Sequence, residues 1–65
     1  MECVKFYIKD FSPSNLLHAQ KMNFLPNQGD TICIDFEYRR DYTVIRRLWV
    51  DTAVGNAWAI LVKEL

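Results

Sequence analysis

The 65-residue chain is long enough for one domain, and a domain of that size buries only about 60% of the surface its unfolded chain exposes. Apolar residues form 51% of it, with four Phe, three Tyr and two Trp, which excludes a disordered chain. Eight basic and eight acidic residues leave a formal net charge of zero, so no long-range field gathers polyanions and both nucleic acid and anionic membrane are disfavoured.

Residues 2–10 open with an alternating run: Val4, Phe6 and Ile8 fall on one face, Cys3, Lys5, Tyr7 and Lys9 on the other. This is an amphipathic strand whose lysines face water and discourage edge-to-edge aggregation. In residues 11–23, Ser12-Pro13 can cap and open a helix, and Leu16, Leu17, Ala19, Gln20, Lys21 and Met22 favour one by propensity. Such a helix has two or three turns and survives only by packing Leu16, Leu17 and Met22 on a sheet. The alternative is an irregular crossover ending in a strand over residues 17–24. Phe24-Leu25-Pro26 followed by Asn27-Gln28-Gly29-Asp30 is a turn, in which Pro26 keeps Leu25 extended and Gly29 accepts positive φ.

Residues 30–50 form the organising hairpin. Ile32, Ile34, Phe36 and Tyr38 alternate with Thr31, Cys33, Asp35 and Glu37, the period of a pleated strand. The turn near Arg39-Arg40-Asp41 lacks glycine, so a loop of three to five residues fits it better than a two-residue turn. In the second strand Tyr42 and Val44 share a face, but continued alternation puts Arg46 beside them and Ile45, Arg47 and Trp49 opposite. A bulge near Arg46-Arg47 would restore an apolar side and bend the strand. After a turn over residues 51–56, with Gly55-Asn56 tightest, residues 57–62 place Trp58, Ile60 and Val62 against Ala57, Ala59 and Leu61. A strand apolar on both faces is central or covered.

No apolar run approaches the roughly 18 residues of a membrane span. The start Met1-Glu2-Cys3 does not read as a secretory signal, so a cytoplasmic protein is expected. Cys3 and Cys33 are too few for a disulfide scaffold and too isolated for zinc, and two thiols acting as small apolar groups are expected. His18 has no nucleophile or orienting carboxylate that the sequence places beside it, and reads as a surface or rim side chain. Asp35 and Glu37 share a strand face, the minimum for an acid–base pair, yet a solvated polar face accounts for them as well. The expectation is no catalytic residue, no metal and no cofactor.

All four arginines lie in residues 39–47. Arg39, Arg40, Arg46 and Arg47 beside Tyr38 and Tyr42, with Trp49 as a further ring, could form a stacking face for single-stranded nucleic acid. Asp35, Glu37 and Asp41 nearly neutralise that stretch, and cross-strand ion pairing accounts for it as well. Cys33, Ile45, Trp49 and Leu61, opposite the main alternation, would form a second apolar face that a monomer should not expose. Self-complementary two-fold pairing is the simplest way to cover it, so a homodimer is expected.

Phe24-Leu25-Pro26, Gly29-Asp30 opening an isoleucine-rich strand, and Tyr42-x-Val44 with Trp49 five residues later resemble small bacterial β-barrel proteins of unknown function. Such proteins are often encoded on phage, plasmid or integron-cassette genes. The resemblance covers about half of the chain and implies a compact curved sheet or small barrel of the Src-homology-3-like kind. It carries no catalytic residue across, and residues 11–23 are longer than the connection it would suggest.

Together these readings give one mainly β domain over residues 1–65. It has four or five antiparallel strands, strongly bent, with a short helix or ordered crossover after the first. The expected role is a non-enzymatic protein-interaction module that self-associates through an apolar sheet face. The alternative is a single-stranded nucleic-acid binder.

Overall fold

The alternating runs become β1 (Glu2–Ile8), β3 (Thr31–Asp35), β4 (Arg40–Thr52) and β5 (Gly55–Glu64), and residues 11–23 add β2 (Leu16–Met22). They form one sheet in the order β2-β1-β5-β4-β3 in the computed structural model, which describes residues 2–35, 37, 39–53 and 55–65. The sheet bends until it nearly closes as a barrel. Three register shifts accompany the bend, with Leu17, Ile34 and Ile45 as the extra residues. Each extra residue increases local twist and turns the strand.

Val4 and Phe6 of β1, Tyr42 and Val44 of β4, and Ile60 and Val62 of β5 form the buried cluster, with Ile8, Met22, Leu25, Ile32, Ile34 and Trp58 packed around it. Lys5 and Tyr7 pair with Ala59 and Leu61 on the outer face. Ala59 is buried there, flanked by Lys5 on one side and Leu48 on the other. β5 is apolar on both faces because it lies in the centre of the sheet.

Two expectations are corrected. The helix over residues 11–23 is replaced by a single 3-10 turn, Pro13–Asn15, and then by β2. A two-turn helix gains too little burial to persist, whereas β2 satisfies the backbone along one side of β1. Leu16 and Leu17, the side chains that would have anchored the helix, are exposed. The sheet is also mixed, because β1 and β5 run parallel. The chain leaves β2 at one edge, crosses through residues 23–30 to β3 at the other, and meanders back through β4. β5 therefore reaches β1 in the same direction.

That crossover is well tied. Gly29 has φ 93°, as the turn requires. Its amide donates to the Val44 carbonyl at 2.8 Å, and the Val44 amide donates to the Asp30 carbonyl at 2.9 Å. The Asn27 amide donates to the Asp30 carboxylate at 2.8 Å, and Pro26 is buried. No disulfide joins Cys3 to Cys33. Among the described residues no helix is long and apolar enough to cross a membrane.

Candidate interaction surface

β4 is much longer than β3. Its ladder with β3 ends at Thr43, and residues 29–30 extend the pairing only as far as Val44. From Ile45 to Thr52, β4 has β5 as its sole strand neighbour among the described residues. The β1–β5 ladder begins only at Trp58, so β5 pairs with β4 over residues 55–57 before it reaches β1. The two strands thus leave the barrel as a ribbon, here called the arm, and the molecule is elongated to 35 × 24 × 21 Å.

The bulge at Ile45 decides which side chains share a face of the arm. Val44 pairs with Val62, but Arg46 already pairs with Leu61, so the later residues are shifted by one. Arg47, Trp49 and Asp51 therefore lie on the side of Ile60 and Trp58, while Arg46, Leu48 and Val50 lie on the outer side with Leu61, Ala59 and Ala57. Trp49 packs against Trp58 with ring centroids 5.1 Å apart, and the Arg47 guanidinium sits 5.6 Å from the centre of the Trp58 ring. This is cation–π geometry. Trp49 nevertheless stays 42% exposed, and Ile45 and Leu48 are each 39% exposed.

The four residues read from the sequence as one apolar patch are dispersed. Trp49 faces the core side, Leu61 the outer side, Ile45 is the bulge residue, and Cys33 is exposed on β3 opposite Asp41. Leu48, Val50 and Asp51, which the alternation does not single out, share the open-edged stretch of β4 with Trp49. Their exposure depends on strand order and on the unequal lengths of β3 and β4, which alternation does not encode.

The arginine and aromatic face is also rearranged. Tyr42 is only 5% exposed, so it is a core residue and not a stacking platform; its pairing with Ile32 places it under the sheet. Arg46 and Arg47 point to opposite sides of β4. Arg39 is highly exposed and lies 3.9 Å from the Asp41 carboxylate, and Arg40 is exposed at the start of β4. Tyr38 lies outside the described residues, as does the side chain of Asp35, so the Asp35–Glu37 pairing does too.

A second apolar feature lies where the barrel stays open between β2 and β3. A cleft of about 270 Å³ is lined by Phe6, Gln20, Met22, Phe24, Ile32, Cys33 and Ile34. Its lining carries no basic or acidic side chain among the described residues. His18 stacks on Phe6 at 6.3 Å, and its Nε2 lies 2.7 Å from the Gln20 Oε1. Asp10 belongs to a loop cap: its carboxylate accepts from the Ser12 hydroxyl, the Ser12 amide at 2.9 Å and the Asn15 side-chain amide at 2.7 Å. Those donors hold the Asp10 carboxyl below the ordinary carboxylate value. Among the described residues no group of three His, Cys, Asp or Glu could hold a metal ion. Comparison with protein-family models, with curated proteins and with solved structures finds no match.

Proposed function

We propose that this chain is a non-enzymatic protein-interaction module that self-associates as a homodimer through the arm. The observation that carries the reading is the stretch of β4 beyond Val44, which no strand among the described residues pairs along one side and which bears Ile45, Leu48 and Trp49 in partial exposure. A strand edge that carries exposed apolar side chains in water is a template for another strand, and natural proteins blunt or cover such edges. Here a partner surface covers it. The dispersed arginines and the buried Tyr42 give single-stranded nucleic acid less support.

Light scattering across a concentration series, at low and high salt, tests the reading. A mass of twice 7.7 kDa that persists at high salt is expected. A monomer at all concentrations, joined by oligonucleotide binding that falls steeply with salt, would replace it with the nucleic-acid reading.

A further inference from the structure

Resting on the self-association reading, we infer that the occupant of the open β4 edge is the same edge of a second copy, paired antiparallel about Trp49. The backbone fixes which groups are available. The Val44 amide and carbonyl face residues 29–30, away from β5. Ile45 and Arg46 together span the position opposite Leu61. Antiparallel alternation then turns the backbone N–H and C=O of Arg47, Trp49 and Asp51 outward, and those of Leu48 and Val50 toward β5. The outward groups recur at every second residue, which is the pattern an added strand bonds.

Two copies joined by a two-fold axis perpendicular to the sheet must pair residues that lie on the same face. Centring on Trp49 sets Trp49 opposite Trp49 of the second copy and Arg47 opposite Asp51 of the second copy, twice. On the outer face Leu48 meets Val50 of the second copy, also twice. All three outward-facing residues of each strand are then bonded.

The neighbouring registers are poorer. Centring on Arg47 or on Asp51 places like charges opposite each other, which destabilises a sheet pair. Centring on Leu48 or Val50 leaves Arg47 and Asp51 both facing apolar side chains. Within one molecule neither Arg47 nor Asp51 has an ion-pair partner among the described residues. Each lies two residues from Trp49 on the same face, at the spacing that its opposite number on a second copy would occupy. The paired arms would make one continuous sheet across two barrels.

Charge exchange tests this register. Arg47→Asp and Asp51→Arg are prepared singly and together, and dissociation constants are measured by analytical ultracentrifugation. Each single variant carries two like-charge pairs in its own dimer and is expected to dissociate at least about tenfold more readily. In a mixture of the two single variants, one copy carries acidic side chains at both positions and the other carries basic ones. Every facing pair is then of opposite charge, so the mixture should form a heterodimer within about threefold of the parent affinity. The double variant should likewise regain the parent affinity. Circular dichroism of each variant checks for a folded sheet, and recovery on mixing separates a charge clash from misfolding. A parent dimer whose single variants are unaffected, or are not rescued by mixing, overturns the register and leaves self-association standing. A parent that is monomeric throughout overturns both.

Discussion

Replacing Trp49 with alanine probes the arm where its exposed apolar area is greatest. Taking about 250 Å² for a whole tryptophan, an exposure of 42% leaves about 100 Å² uncovered in each copy. If two copies cover that area fully, about 200 Å² leaves water, worth about 5 kcal/mol at about 25 cal/mol per Å². Coverage of half gives about 2.5 kcal/mol, or about 60-fold in Kd. The rigid-body cost of association cancels between variant and parent, so the difference is firmer than either absolute affinity. Trp49→Ala also removes the ring contact with Trp58, which should cost the monomer about 1 kcal/mol. Sedimentation equilibrium reads the dimer, and urea unfolding at a concentration where both proteins are monomeric reads the fold. A Trp49→Ala dimer that dissociates within about fivefold of the parent would show that the exposed indole contributes nothing to the contact.

Ile60 is fully buried between β1 and β4, so Ile60→Ala should lower stability by about 2–5 kcal/mol. A 65-residue domain has roughly 3–10 kcal/mol in total, so urea unfolding should show a greatly reduced midpoint or an unfolded chain. Asp10 is held below the ordinary carboxylate pKa by Ser12 and Asn15, so its contribution is present above that ordinary value and is lost as pH falls through the lower folded one. A carbon-detected NMR titration should show Asp10 titrating below the ordinary aspartate value, and Ser12→Ala should move it upward.

Much of this fold is legible in the sequence. Val4, Phe6 and Ile8 occupy one face of β1 as their alternation requires, and the two-sided apolar run of residues 57–62 lies in the middle of the sheet. Gly29 takes the positive φ expected of the turn, and four residues separate the paired Asp35 and Arg40, within the expected loop length, although Arg40 and Asp41 belong to β4 and not to the turn. The failures have physical causes. Leu16, Leu17 and Ala19 carry helix propensity, but pairing with β1 overrides it. The parallel contact of β1 with β5 follows from where the crossover delivers the chain, which local pattern does not record.

The candidate site is less legible because one residue governs it. A break in alternation within β4 is evident from Arg46 and Arg47, yet the extra residue is Ile45, just ahead of both. That displacement moves Trp49 from the outer face to the core face and separates it from Leu61. Tyr42 shows the same limit: as a ring among arginines it resembles a stacking platform, and its register opposite Ile32 makes it core.

The most direct measurement is amide hydrogen exchange along β4 as a function of protein concentration. Leu48 and Val50 bond to β5 in either state, so their amides should be protected throughout. The amides of Arg47, Trp49 and Asp51 face the open edge, and should be protected at high concentration and exchange rapidly on dilution. Rapid exchange at these three positions at every concentration would contradict the claim that a second strand covers this edge.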